Sequence, residues 1–198
     1  MSIIISGGFA SGLRMRAPKT GQVRPTGVRS RRALLDSLGT QYGWNGKVVV
    51  DLFAGSGALG LDAVSRGAAE VYLIDKDKKG CSFAEKNSEA VKKSAGSERS
   101  PQIYVVCTDV RNAEQRLWNL SGKIDFIFAD PPYRDSERYF NMLTSSDTFT
   151  EWAGNALMLW ESPGGFRGRN ADSLWKIIER RKFAGTEFLY LKSEKFIN

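Results

Sequence analysis

A short apolar run that ends in an acid and enters a glycine-rich turn constrains this chain most. Residues 48–60 read VVVDLFAGSGALG. The three valines are typical of a buried central strand, while Gly55 and Gly57 permit positive φ and leave the backbone open to a ligand. Helical spacing begins at Ala58, so the turn presents backbone N–H groups at a helix N-terminus. The stretch predicts a ligand site at the carboxyl end of a strand in an open α/β sheet.

The glycines alone leave the ligand open. Gly55-x-Gly57-x-x-Gly60 matches the dinucleotide fingerprint, and Asp75 lies at about the ~20-residue spacing expected of a ribose-binding acid. However, Asp51 ends the strand four residues before Gly55. A carboxylate there repels a pyrophosphate and suits a cationic group, such as the ammonium of a methionine moiety. This favours S-adenosylmethionine over a nicotinamide dinucleotide, while a strand-to-helix turn with a solvated Asp51 is the plainest alternative.

Composition limits the other classes of site. The 198 residues suffice for one α/β domain with a core, and they include no histidine. Ser-His triads and His-based metal sites are therefore excluded, and we expect no metal. Cys81 and Cys107 lack CxxC spacing, which is typical of a reduced cytoplasmic protein. No apolar run approaches the ~18 residues of a membrane span, so no membrane association is expected.

The net charge of +7 is concentrated at the N-terminus. The first 35 residues contain no acid, whereas the remaining residues hold 22 basic and 22 acidic side chains. Such a segment suits a polyanion, because Lys and Arg release counterions when they neutralise phosphates. A solvated basic arm is the alternative. The basic residues are Arg14, Arg16, Lys19, Arg24, Arg29, Arg31 and Arg32.

Strands alternate with helices along most of the chain. A hairpin is predicted over 3–16 and a helix over 29–38, with Thr26 as a possible cap and with Arg29 and Arg32 off its apolar face. Further helices are predicted over 58–66, 78–93, 111–118 and 136–144. Strands are predicted over 47–53, 70–74, 103–107, 124–129 and 156–160, followed by a glycine-rich loop over 162–172. An antiparallel pair is predicted over 175–183 and 186–192, with a helix over 175–181 as the alternative. This order predicts a doubly wound, mostly parallel sheet.

An acid follows each of four successive strands. They are Asp51, Asp75, Asp109 and Asp130. Because the carboxyl ends of parallel strands meet at one edge of a sheet, we expect these carboxylates to gather there. Any one of them could instead cap the next helix.

A second motif, Asp130-Pro131-Pro132-Tyr133, follows the fourth strand. Two prolines stiffen the loop but keep their carbonyl acceptors. The carboxylate, the Pro131 carbonyl and the aromatic ring fit a planar amino group on a heteroaromatic base, which Tyr133 can stack upon. A methyl donor at the first motif and an amine here would be held in line for transfer. A simple Pro-Pro turn is the alternative.

Together the two motifs resemble a class I amino-methyltransferase, and more of the chain resembles the RsmD family of bacterial 16S rRNA guanine-N2 methyltransferases. The residues that carry this resemblance are Asp51 to Gly57, Asp130 to Tyr133, Gly7-Gly8, Arg24-Pro25-Thr26, Arg29-x-Arg31 and Leu59 to Ala68. The resemblance implies a Rossmann-like sheet of about seven strands with helices on both faces and a small N-terminal β-hairpin extension. It divides the chain into 1–26, an RNA-binding extension, and 27–198, the catalytic domain.

The resemblance also implies roles for individual residues. Asp51 and the Gly55/Gly57 loop would hold the methionine part of S-adenosylmethionine, Asp75 the ribose, and Asp109 with Val110 the adenine. The full cofactor-binding set is Asp51, Phe53, Ala54, Gly55, Gly57, Asp75, Lys76, Asp109 and Val110. The catalytic set is Asp130, Pro131, Pro132 and Tyr133. The RNA-binding set is Arg14, Arg16, Arg24, Thr26, Arg29 and Arg31.

The expected activity is methylation of the exocyclic N2 of a guanine in 16S rRNA during small-subunit assembly. The expected partner is rRNA within a 30S assembly intermediate that carries ribosomal proteins, and the protein is expected to act as a cytoplasmic monomer. DNA adenine-N6 methylation remains open, since the second motif reads an amino group and not a particular base. A non-catalytic RNA-binding assembly factor also remains open, and a nicotinamide-dependent enzyme is the third alternative.

Overall fold

The computed structural model describes residues 3–17, 27–96, 101–168 and 171–196. A seven-stranded sheet has the order β5-β4-β3-β6-β7-β9-β8, and a separate antiparallel pair, β1-β2, precedes it. The strands are β1 Ile3–Ile4, β2 Arg14–Met15, β3 Val48–Asp51, β4 Glu70–Asp75, β5 Gln102–Cys107, β6 Phe126–Ala129, β7 Leu157–Ser162, β8 Trp175–Phe183 and β9 Thr186–Ser193. The helices are α1 Val28–Tyr42, α2 Ala58–Ser65, α3 Lys78–Ser94, α4 Ala113–Arg116, α5 Ser136–Thr144 and α6 Asp147–Ala153.

The predicted fold class is confirmed. The five strands β3 to β7 run parallel to one another, while β9 is antiparallel to both β7 and β8. The predicted N-terminal hairpin is present, with Ile3 opposite Met15. No described helix has the length and apolarity required to cross a membrane.

Apolar side chains cover both faces of the sheet. Val49 and Phe128 belong to a core cluster that also holds residues of α1, α2 and the hairpin, whereas Val50 and Ile127 belong to a second cluster with residues of α5 and α6. Successive strand residues thus point to opposite faces, and both faces are buried, as expected of a parallel sheet between two helical layers.

Two helices differ from the prediction. The helix expected over 111–118 is limited to Ala113–Arg116 with a 3₁₀ turn on either side, and the Leu117 carbonyl accepts a hydrogen bond from Trp152 Nε1 at 2.7 Å. Helix α6 was not predicted at all. Ser146 caps it by accepting from the Phe149 N–H, and Gly154 follows its last residue with φ +57°, which are ordinary start and stop signals.

The N-terminal segment is fastened to α2 through a buried acid. Asp62 is 0% exposed; it accepts hydrogen bonds from Ser6 N at 3.0 Å and from Arg31 Nε at 2.7 Å, and it pairs with Arg66. Arg31 also donates to the Ile4 carbonyl. One carboxylate thus joins the hairpin, α1 and α2.

This arrangement corrects the role expected of Arg31. Its side chain is 1% exposed and is paired with Asp62, so the prediction that Arg31 contacts RNA directly is wrong. A buried guanidinium needs a charged partner, and Asp62 supplies one from a different helix.

Replacement of Arg31 by Met is expected to lower the free energy of unfolding by about 3 kcal/mol, because it leaves Asp62 buried with one guanidinium fewer. Arg32→Met is the matched control, since the Arg32 side chain is 68% exposed and its pair with Asp36 lies at the surface; its effect should stay below about 1 kcal/mol. Urea unfolding followed by circular dichroism measures both. Equal losses in the two variants would contradict a structural role for the buried pair.

Candidate active site

The strand ends bring the predicted acids to one edge of the sheet. β3 pairs in parallel with β4 on one side and β6 on the other, with Asp51 opposite Leu73 and Phe128. The chain then leaves β3 between its neighbours: Leu52 N donates to the Phe128 carbonyl and Ala54 N to the Ile74 carbonyl, both at 2.9 Å. The loops that follow β3 and β6 therefore start side by side. The acids at this edge are Asp51, Asp75, Asp109 and Asp130.

The glycine loop has the geometry that its sequence predicts. Gly57 is the N-cap of α2 with φ +84°, and Gly55 has φ +53°. A Cβ added at Gly55 would meet no atom within 4 Å, so the backbone there is open to an approaching ligand. Gly60 has another function: an added Cβ would lie 2.4 Å from Leu73 Cδ2, so the third glycine lets α2 pack closely on β4.

Asp51 is a buried carboxylate held by the same helix. It is 2% exposed, and its Oδ2 accepts a hydrogen bond from Gly60 N at 3.0 Å. Burial raises the pKa of Asp51 to about 7; the Gly60 hydrogen bond opposes this rise, and the nearby charge of Asp75 adds to it. A cation bound against Asp51 would favour the ionised form.

Asp75 fastens the glycine loop. Its Oδ2 accepts from Gly55 N at 2.7 Å, and its Oδ1 accepts from Asp77 N at 2.8 Å. The neighbouring Lys76 is exposed, and its Nζ lies 3.2 Å from the hydroxyl of Tyr139. The ribose contact predicted for Asp75 stays a prediction. Each carboxylate oxygen has two lone pairs, so these hydrogen bonds leave acceptor capacity for a ribose hydroxyl.

Asp109 follows β5 and is held by Arg111. Its carboxylate accepts from Arg111 Nε at 2.9 Å and from the Arg111 backbone N–H at 3.0 Å. The side-chain hydrogen bond from Arg111 is the main cause that lowers the pKa of Asp109 to about 2, so it is ionised at neutral pH. Val110 is buried in the second core cluster and fixes the start of this turn.

The Asp-Pro-Pro-Tyr loop combines buried and exposed parts. Pro131 is buried, Asp130 is half-buried, and Tyr133 is 54% exposed. The Tyr133 hydroxyl donates to Glu161 Oε1 at 2.9 Å. Glu161 lies in β7 and is 2% exposed. The ring of Tyr133 is thus both accessible to a base and held by its hydroxyl.

Sequence reasoning missed Glu161. It lies one residue before the end of the fifth parallel strand, so the rule that selected the other four acids could have found it. Phe53, in the segment after β3, is half-buried, and its ring centroid lies 5.0 Å from that of Tyr139 in α5 and 6.3 Å from that of Trp160 in β7.

The residues proposed for RNA binding are not all placed alike. Arg14, Arg16 and Arg29 are exposed, whereas Arg31 is buried as described above. Arg24 and Thr26 lie outside the described residues. Within the described ranges, no group of three or more Cys, Asp and Glu residues has a geometry that could hold a metal ion.

Known proteins resemble this chain in both sequence and fold. The Bacillus subtilis protein YlbH is 28% identical over 134 residues, 66% of each chain. Ribosomal RNA small subunit methyltransferase D of Escherichia coli K12 is 36% identical over 137 residues, 67% of this chain and 61% of that protein. The alignments therefore span less than two thirds of these two relatives.

A solved structure agrees over a greater length. The Thermus thermophilus protein TTHA0928 superimposes with a TM-score of 0.74 and 26% identity, covering 96% of this chain and 99% of that one. The family model described as "Conserved hypothetical protein 95" matches residues 3–192. The chain therefore belongs to that family, which is the RsmD family that its motifs resemble.

Proposed function

We propose that this protein transfers a methyl group from S-adenosylmethionine to the exocyclic N2 of a guanine in 16S rRNA. The observation that carries the proposal is the adjacency of β3 and β6, which sets the glycine loop beside the Asp-Pro-Pro-Tyr loop. Family membership supports it, as does the name of the Escherichia coli relative.

The edge of the sheet fits a cationic adenosine ligand better than a dinucleotide. Asp51 is buried and adjoins a loop whose backbone is open at Gly55. Its carboxylate would bind the ammonium of the methionine moiety, while Asp75 and Asp109 would face the ribose and the adenine. A pyrophosphate would instead meet repulsion from these acids. When bound, the sulfonium supplies an activated methyl group, so the protein itself needs no strong base.

The substrate loop would hold and orient the accepting amine. Asp130 and the Pro131 carbonyl are acceptors for its two N–H groups, which would turn the nitrogen lone pair toward the methyl group. Asp130 would also take the proton that the nitrogen loses after transfer. Tyr133 would stack on the guanine, and the rigid loop would limit the orientations of the base.

The basic N-terminal segment would meet the RNA backbone. Arg14, Arg16 and Arg29 are exposed, and phosphate contacts of this kind position an RNA without reading its sequence. We propose that the substrate is rRNA in a small-subunit assembly intermediate and that the protein acts as a monomer in the cytoplasm.

The test is methylation by the purified protein with isotopically labelled S-adenosylmethionine and small-subunit rRNA, followed by nuclease digestion and mass spectrometry. N2-methylguanosine is the expected product. Asp130→Asn should lower the rate at least about a hundredfold, because an amide is a weaker acceptor for the N–H groups and the released proton. Asp147→Asn, at an exposed acid that begins α6, is the matched control and should retain activity.

Two outcomes would overturn this proposal. Methyl on N6 of adenine in DNA, with none in rRNA, would assign the DNA activity instead. RNA binding without turnover, unchanged by Asp130→Asn, would favour a non-catalytic assembly factor.

Binding of the methyl donor should depend on pH through Asp51. With a pKa of about 7, this carboxyl is mostly protonated at pH 6 and mostly ionised at pH 8, so the affinity for S-adenosylmethionine should be about tenfold weaker at pH 6. Binding at pH 7 should also release protons, because the bound cation favours the ionised form.

Isothermal titration calorimetry in two buffers of different ionisation enthalpy measures both effects. Asp51→Asn should bind more weakly and lose the pH dependence. Asp109, with its pKa lowered to about 2, does not titrate in this range. An affinity that is flat between pH 6 and pH 8 would exclude Asp51 as the group that binds the cation.

Tyr133 allows stacking to be separated from hydrogen bonding. Tyr133→Phe keeps the ring and removes the hydroxyl that bonds to Glu161, so KM for rRNA should change by less than about fivefold. Tyr133→Ala also loses the stacking surface and should raise KM roughly ten- to a hundredfold. Steady-state kinetics with rRNA distinguishes the variants, and equal effects would argue against base stacking.

A further inference from the structure

A buried asparagine connects the hairpin to the glycine loop. Asn87 lies in α3 and is 2% exposed. Its Nδ2 donates to the Ser56 carbonyl at 2.8 Å and to the Arg16 carbonyl at 2.9 Å, and its Oδ1 accepts from Arg16 N at 2.8 Å. One side chain of α3 therefore contacts two other segments that are far apart in sequence.

The orientation of this amide is fixed by its partners. The Arg16 N–H can only donate, so it must face Oδ1, and two carbonyls then face the two N–H groups of Nδ2. No other side chain of this size offers one acceptor and two donors in that arrangement. The amide thus accepts from the Arg16 N–H and donates to the Arg16 carbonyl, as the backbone of a neighbouring strand would.

The Ser56 carbonyl belongs to the candidate methyl-donor site. Ser56 is 7% exposed and lies between the two glycines of the loop. The same helix supports the loop at a second point, since a Cβ added at Gly80 would lie 3.2 Å from the Gly55 carbonyl oxygen. Helix α3 thus holds the loop from behind, at Gly80 and at Asn87.

The Arg16 end belongs to the candidate RNA surface. Arg14 and Arg16 are exposed on and just after β2. The other end of the hairpin is fastened by Ser6 to Asp62 and by Ala10 N to Ser65 Oγ at 2.9 Å, both on α2. Asn87 links the backbone of Arg16, one of the exposed arginines, to the glycine loop.

We propose that Asn87 is a positioning residue that holds the methyl-donor loop and the arginine-bearing strand in one fixed relation. This inference rests on the proposed function, because it assigns the loop to the donor and the strand to RNA. Loss of the amide leaves the buried Ser56 carbonyl without this donor and frees the loop to adopt other conformations. Both ligands would then meet a site that is less well organised.

The test is the affinity of Asn87→Ala for S-adenosylhomocysteine, measured by calorimetry without RNA, and for small-subunit rRNA, measured by filter binding. Both affinities should fall, that for S-adenosylhomocysteine by roughly tenfold, as expected when buried hydrogen bonds to a binding loop are lost. Ser88→Ala is the matched control, because Ser88 is the next residue of α3, is buried, and donates to the Ala84 carbonyl within the same helix. It should bind both ligands within twofold of the wild type.

Asn87→Asp is the second variant in case Asn87→Ala does not fold. It keeps the acceptor for Arg16 N but loses both donors, so its affinity for S-adenosylhomocysteine should also fall. Unchanged affinity in a folded Asn87 variant, or an equal loss in Ser88→Ala, would overturn the inference.

Failure of the proposed function would look different. Wild-type protein that binds no S-adenosylhomocysteine would reject the donor assignment. Full RNA affinity in an Arg14→Ala/Arg16→Ala double variant would reject the RNA surface. The affinity of the Asn87 variants for S-adenosylhomocysteine would then still test whether Asn87 positions the glycine loop.

Discussion

The site depends on the hydrogen bonding of one central strand. β3 pairs with β4 and β6 at the same time, and its last residues divide between them, Leu52 toward Phe128 and Ala54 toward Ile74. This division opens the sheet edge where the glycine loop begins. The rigid loop after β6 starts on the adjacent strand, so no long-range motion is needed to bring the two motifs together.

Two aspartates of nearly equal burial show how surroundings decide a role. Asp62 is 0% exposed, pairs with two guanidinium groups and accepts a hydrogen bond from a backbone N–H, so its role is to hold the hairpin, α1 and α2 together. Asp51 is 2% exposed, yet it is held by a backbone N–H and lies near the charge of Asp75, so burial raises its pKa to about 7. A positively charged ligand would supply the counter-charge that the described protein residues do not give the Asp51 carboxylate.

Much of the fold followed from local pattern. β-branched runs, alternating helices and the acid after each strand predicted the parallel sheet, and the glycine spacing predicted the turn at Gly57. The prediction for Arg31 was wrong because its partner, Asp62, lies 31 residues away. The helical periodicity of the sequence placed Arg31 on α1 but could not show that Asp62 of α2 packs against its side chain. Helix α6 was missed although Ser146 and Gly154 carried its signals.

The sequence by itself determined which acids follow the strands, because side-chain alternation and turn residues are local properties. The alternation of strands with helices then predicted that these strands run parallel and that their carboxylates share an edge. Only the tertiary structure decided how those groups are paired. Asn87 beside Ser56, Glu161 beneath Tyr133, and Arg31 against Asp62 each join segments distant in the chain. Such pairs form because a buried polar group must find a partner, and the chain path decides which partner is within reach.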